Sequence, residues 1–209
     1  MEISPLAATA AASYLSGSIP FGLIVARVTG GPDPRAVGSG RLGGTNSLRA
    51  LGRRRAAVVS AGDMLKGYLP VAAVAAVGGG RELQVVAALC AVVGATRSVW
   101  VGFKGGRGIA TGFGTALAIA PLPLLAASPV FFAVILATRL VSAGSLAAAA
   151  AFAPLMIGSR LLSPEGLSLA DAAYAIVGPA LVWVAHADNI ARLREGTERR
   201  FDLGLLRRD

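Results

Sequence analysis

Read from its hydrophobic and polar positions, the chain alternates seven long apolar stretches with short polar, glycine-rich ones. The apolar stretches run over about 3–28, 56–78, 82–101, 108–122, 124–141, 143–160 and 170–188. A helix needs about 20 apolar residues to cross the hydrocarbon of a bilayer. The fourth stretch is short by that measure, and Pro121 and Pro123 blur its border with the fifth. The pattern predicts an all-α polytopic integral membrane protein of seven transmembrane helices, folded as a single domain over 1–209. The stretches are rich in Ala and Gly, which lets helix backbones approach closely.

Composition points the same way. Of 209 residues, 55% are hydrophobic and 15% charged, against about a quarter charged in soluble domains. Cys90, the only cysteine, lies in an apolar stretch and reads as a packing residue. Met1-Glu2-Ile3 is not the basic start of a cleaved signal peptide, so none is expected.

Charge placement then gives an orientation. With the N-terminus outside and seven crossings, the inner face receives the arginines of 27–55, Lys66, Arg97, Lys104, Arg107, Arg139 and the Arg-rich stretch 192–208. Only Arg81 and Arg160 remain outside. The positive-inside rule therefore places the C-terminus in the cytoplasm. The net charge of +9 is a topology signal first and an attraction to anionic membrane lipids second. Nucleic acid is excluded as a partner, because the cations are dispersed over several loops without interleaved aromatics. In this topology the polar stretches 30–55, 102–108 and 186–200 share the cytoplasmic face and predict one composite site.

The first of them, "AVGSGRLGGTNSLRALG", contains a literal G-x-G-x-x-G at Gly38, Gly40 and Gly43, with Asp63 further on. That spacing matches a dinucleotide fingerprint, but it follows a membrane helix rather than a strand. Its glycines can still form an anion-binding nest. Ser39, Thr45 and Asn46 add short polar groups, and Arg49 adds a bidentate phosphate fork. The second, "GFKGGRGIATGFG", brackets Gly105 and Gly106 with Lys104 and Arg107, ahead of Gly108 and an apolar helix that includes Thr111. A glycine turn feeding a helix N-terminus offers free N–H groups to an anion. No Walker A sequence aligns there. In the third, "HADNIARLREGTERRF", a helix continuing past 185 brings His186, Asn189 and Arg192 onto one face. One histidine and one cysteine make no metal site, so no metal or other cofactor is expected.

Within apolar stretches, Asp63 and Lys66 stand three apart, on one helix face. Intramembrane charges usually face the bundle interior, so this pair is expected to support the site. Arg139 and Ser142 fall near an inner helix end.

These strings, with "GSIPFG" at 17–22, "DMLKG" at 63–67, "TRLVSAGS" at 138–145 and "HADNIARLREGTE" at 186–198, resemble the bacterial glycerol-3-phosphate acyltransferase family that uses acyl-phosphate, the PlsY family. The resemblance covers nearly the whole chain in order. It implies a seven-helix enzyme of the bacterial cell membrane whose signature segments face the cytoplasm. Its substrates are acyl-phosphate and glycerol 3-phosphate, and its products lysophosphatidic acid and phosphate. It implies no cofactor, acyl carrier or obligatory protein partner. The His-x-x-x-x-Asp dyad of other acyltransferases is absent, because the fifth residue after His186 is Ala191.

By the resemblance, Ser39, Arg49, Lys104, His186 and Asn189 are substrate-contacting residues, with Lys104, His186 and Ser39 nearest the chemistry. The resemblance likewise makes Thr45, Asn46, Gly105, Gly106 and Gly108 an acyl-phosphate-binding backbone. Gly40, Gly43, Arg107, Thr111 and Ser142 complete the expected binding set, while Asp63, Lys66, Arg139 and Arg192 are expected to support it. The chain departs from the family pattern at Arg41 (usually Asn), Gly44 (Ala), Ala95 (His), Ser98 (Pro) and Arg107 (Lys). A relative with another polyol-phosphate acceptor, or an inactive one, stays open. A small anion transporter is disfavoured, since the outer half is nearly free of ionisable groups and shows no repeat.

Overall fold

The computed structural model describes residues 4–202 and Gly204; Ile3, Arg207 and Arg208 lie outside the described residues. Those described form ten α-helices and no strand. They are α1 (Pro5–Ser18), α2 (Phe21–Val28), α3 (Gly44–Leu51), α4 (Arg53–Ala76), α5 (Arg81–Thr96), α6 (Ile109–Ile119), α7 (Pro121–Thr138), α8 (Val141–Leu161), α9 (Leu169–Ala185) and α10 (Ala187–Arg194), with 3₁₀ turns at Pro34–Ala36 and Val99–Val101. Four of these spans are long and apolar enough to cross a membrane: α4, α5 with its following turn, α7 and α8. The number rises to six if the bent pairs α1–α2 and α9–α10 each count as one span.

The expected close approach of backbones is present. A Cβ on Gly17 would meet the backbone of Ala91, and one on Gly94 the backbone of Tyr14, so α1 and α5 touch main chain to main chain. The same holds for α4 and α6, where Gly67 faces Thr111 and Gly114 faces Met64. Helix α5 packs against α1, α4, α6 and α9, and its Ala87, Ala88 and Ala91 are fully buried. Beside it, Phe152 and Tyr174 meet edge to face at 6.0 Å. The Tyr174 hydroxyl lies 2.8 Å from Thr115 Oγ1, which itself donates to the Gly112 carbonyl.

Four expectations need correction. The stretch 3–28 is broken by 43° between Ser18 and Phe21, because Pro20 supplies no N–H to continue the ladder. Both carbonyls freed there are satisfied by buried side chains: Ser98 Oγ donates to Ser18 O at 2.6 Å, and Lys66 Nζ donates to Ile19 O at 2.9 Å. The segment 30–55 is not all loop, since 44–51 forms α3, which ends at Gly52 with φ of 81°. Helix α5 stops at Thr96 rather than continuing to 101. Lastly, α9 does not continue past 185: the chain turns by 63° between α9 and α10, and His186 sits at the junction as the cap of α10.

The short fourth stretch is confirmed as short. Helix α6 has 11 residues, or about 16 Å at 1.5 Å per residue. Its last carbonyl therefore ends inside the bundle, where Arg81 Nη2 donates to Ile119 O at 2.9 Å and Arg160 Nη2 at 3.4 Å.

Candidate active site

Glycine-rich segments from three parts of the chain converge on a cavity of ≈ 560 Å³. Its walls include Ser39, Gly43, Thr45, Asn46 and Arg49 from the first segment. Gly105, Gly106, Arg107, Gly108 and Thr111 come from the second, and His186, Asn189 and Arg192 from the third. Asp63, Lys66 and Ser142 also line it. Three expected residues do not. Gly40 stands in the 34–43 turn, Arg139 caps α7 with φ of 61°, and Lys104 is exposed beside Gly105.

Local chemistry explains the arrangement. Asn46 holds the first segment in shape: its Nδ2 donates to the carbonyls of Pro34, Val37 and Arg41, and its Oδ1 accepts from Ser39 N–H. That amide serves the loop rather than pointing free into the cavity. The Gly105 and Gly106 N–H groups, expected to be free for an anion, instead donate to Thr96 and Ala95 carbonyls at 3.2 and 2.9 Å. They dock the second segment onto the end of α5, and a Cβ at 105 would strike Ala95 O. The free donors lie one turn later. Gly108, at φ of 72°, starts α6 without a side-chain cap, so the N–H groups of its first turn lack intrahelical partners. Ile109, Ala110 and Thr111 of that turn line the cavity.

His186 is buried, with Nδ1 2.8 Å from Val182 O. A carbonyl only accepts, so Nδ1 carries the hydrogen, and in the neutral ring Nε2 is an acceptor. Lys66 forms a 2.6 Å ion pair with Asp63, both side chains nearly buried. The pair thus braces the kink between α1 and α2 from within the cavity wall.

Sequence reasoning missed Glu198, which folds back over the cavity. Its Oε1 accepts from Ser142 Oγ at 2.9 Å and Asn189 Nδ2 at 2.6 Å, and its Oε2 from Arg192 Nε at 2.8 Å. Burial alone would raise its pKa, but these hydrogen bonds outweigh it and hold the carboxyl below its usual range. Phe201 N–H donates to Arg139 O at 2.6 Å and fastens the same strand of chain. The signal was present in "LREGTE", where Glu195 and Glu198 follow Arg192 and Arg194. Asp188 was missed as well. Its Oδ2 lies 2.9 Å from Arg107, 3.4 Å from Arg192 and 4.0 Å from Arg41.

A second, apolar cavity of ≈ 220 Å³ adjoins the first and shares the walls made by Ile109, Phe113, Phe131, Phe132 and Ser145. Cations and free N–H groups on one side, aliphatic and aromatic walls on the other, define a class: a helical bundle with a site for ligands that join a phosphate to an apolar chain. Comparison with known proteins narrows the class to a family. Residues 7–196 match the family model described as glycerol-3-phosphate acyltransferase. The chain is 41% identical over 193 residues to the glycerol-3-phosphate acyltransferase of Geobacter sulfurreducens (91% of this chain, 95% of the relative). It is 43% identical over 188 residues to that of Thermus thermophilus (90% and 91%). A crystal structure of PlsY (YgiH), an integral membrane glycerol 3-phosphate acyltransferase in its glycerol 3-phosphate form, superposes with a TM-score of 0.86. The two share 34% identity, covering 95% of this chain and 96% of that one. The lysophosphatidic acid form gives 0.85 at 32% identity, covering 97% and 98%. The chain belongs to the glycerol-3-phosphate acyltransferase family.

Proposed function

We propose that this protein transfers a fatty acyl group from acyl-phosphate to the 1-hydroxyl of glycerol 3-phosphate, releasing lysophosphatidic acid and inorganic phosphate. The observation that carries the reading is the shared wall between a cation-lined cavity and an apolar one, which suits an acyl chain joined to a phosphate. Family membership supplies the acceptor, since relatives of the same fold were solved in glycerol 3-phosphate and lysophosphatidic acid forms.

Acyl-phosphate is a mixed anhydride with a good leaving group, so orientation and charge neutralisation suffice for the chemistry. The acceptor's hydroxyl oxygen attacks the acyl carbonyl carbon. An ester C–O bond forms as the bond from that carbon to the phosphate oxygen breaks. The hydroxyl proton passes to the released phosphate or to Nε2 of His186. Arg49, Arg107 and the first turn of α6 hold the two phosphates, while Ser39, Ser142 and Asn189 orient the acceptor. Lys104 reaches the substrates by swinging inward from beside Gly105.

The bundle is read as seven spans in a bacterial cell membrane, with the N-terminus outside and the site on the cytoplasmic side. Here α6 is a partial span, supported by its short length and by the basic residues gathered at the site's end. Purified protein supplied with palmitoyl-phosphate and glycerol 3-phosphate should release phosphate and form lysophosphatidic acid together. Release independent of glycerol 3-phosphate, or undiminished in Lys104→Ala, overturns the assignment. For topology, a cysteine at position 160 should label from outside and one at position 53 only after permeabilisation. The reverse pattern refutes the orientation.

A further inference from the structure

The cavity carries an arginine whose role the acyl-transfer reading leaves unassigned. Arg41 is pinned at its backbone, where its carbonyl accepts from Asn46 Nδ2 at 2.8 Å. Its guanidinium makes no hydrogen bond among the described residues, and its nearest carboxylate oxygen, Asp188 Oδ2, is 4.0 Å away. That oxygen is also shared by Arg107 and Arg192. Three guanidiniums thus face two carboxylates, because Glu198 pairs with Arg192. One positive charge is left over. Arg107 Nε is buried without a partner, and so is Asp188 Oδ1. The unpartnered Arg107 Nε and the surplus charge call for an anion, since arginine forks reach their full strength against carboxylate or phosphate oxygens. Asp188 Oδ1, an acceptor, calls instead for a donor such as a substrate hydroxyl.

Position says which anion. Arg41 and Arg107 line the same cavity as Ile109 and Ala110 of the uncapped first turn of α6. Ile109 is also a wall of the apolar cavity. A phosphate held between these arginines and that turn lies where the two cavities meet, so it is the phosphate that carries the acyl chain.

We propose that Arg41 is a specificity-determining residue that binds the donor's phosphate together with Arg107, turning from Asp188 to the substrate when it arrives. The inference rests on the acyl-transfer reading for the identity of the donor. The test compares the unaltered protein with Arg41→Asn and Arg41→Lys, measuring KM and kcat for palmitoyl-phosphate and for glycerol 3-phosphate. Arg41→Asn should raise KM for palmitoyl-phosphate about tenfold, the loss of one charge-assisted contact, and move KM for glycerol 3-phosphate less than about twofold. Arg41→Lys should recover part of the loss. Unliganded melting temperatures should match, because no hydrogen bond from the side chain is removed. A rise confined to KM for glycerol 3-phosphate, or no change in either, overturns the proposal. Inorganic phosphate gives a readout independent of turnover: it should raise the melting temperature of the unaltered protein more than that of Arg41→Asn. If the unaltered protein transfers no acyl group, the reading of its function fails. The anion site is then decided by this shift alone, and equal shifts refute it.

Discussion

At the end of the bundle remote from the glycine-rich segments, Arg81 and Arg160 converge on Asp171. At the other end, Arg41, Arg107 and Arg192 converge on Asp188. The first cluster is closed. Arg81 donates twice to Asp171 Oδ1, at 2.8 and 2.7 Å, and Ser168 Oγ donates to Oδ2 at 2.9 Å. The guanidiniums also take up the terminal carbonyl of α6. The second is open: Arg107 Nε, Asp188 Oδ1 and Asn189 Oδ1 are all buried without partners. Similar side chains thus do different work according to whether their hydrogen bonds are complete. A completed cluster fixes helices, and an incomplete one leaves donors and acceptors open to a ligand.

Mutation can break this contrast. The largest effect is expected from Asp171→Ala, which strands two arginines against one carbonyl. It should cost about 3 kcal/mol or more of stability, read as a lowered melting temperature in detergent, while the fraction that stays folded keeps its KM values. Next comes Arg107→Ala, which should lower kcat/KM by about 100-fold with a melting temperature near that of the unaltered protein. Were Arg107→Ala instead to unfold the protein, the open cluster would be structural and the contrast lost. A smaller change follows from Ser168→Ala, which removes the cap of α9 and one bond to Asp171. About 1 kcal/mol of stability should go, with turnover unaltered.

The smallest effect concerns acid. The folded-state pKa of Glu198 lies below the usual carboxylate value, so its contribution to stability is complete above the unfolded value near 4.5. It is lost as pH falls through the lower, folded value. Melting curves across that acidic window should converge for the unaltered protein and Glu198→Gln, and separate above it. Parallel curves would remove Glu198 from the latch over the cavity.

Much of this was legible in the chain. Apolar stretches located the long helices, because burial in hydrocarbon demands uninterrupted apolar length. The three polar segments supply about half of the cavity's walls, and the helices around them supply the rest. What stayed hidden depended on three-dimensional partners. Hydropathy says nothing of the kink at Pro20, where Lys66 and Ser98, 46 and 78 residues further on, reach the freed carbonyls. Helix α3 was masked by Gly44, Thr45, Asn46 and Ser47, poor helix formers at the start of a helix that is amphipathic and docks on α4. Glu198 looked like one more charge in a basic tail until the fold brought Ser142 and Asn189 to it. Free N–H groups at Gly105 and Gly106 were a fair reading of glycine, but the end of α5 claims them first.

The shortness of α6 has a bearing on how the protein meets changing lipid. A helix spanning the whole bilayer feels its thickness, and mismatch tilts or shifts it. Helix α6 ends inside the protein, its final carbonyl clamped by Arg81 and Arg160, so the opposite leaflet has no grip on it. Tied to the bundle rather than to a span of its own, the first turn of α6 is expected to keep its depth relative to its neighbours when the surrounding acyl chains change. In an enzyme that helps set the composition of its own membrane, one wall of the site is thereby tied to the protein and not to the bilayer.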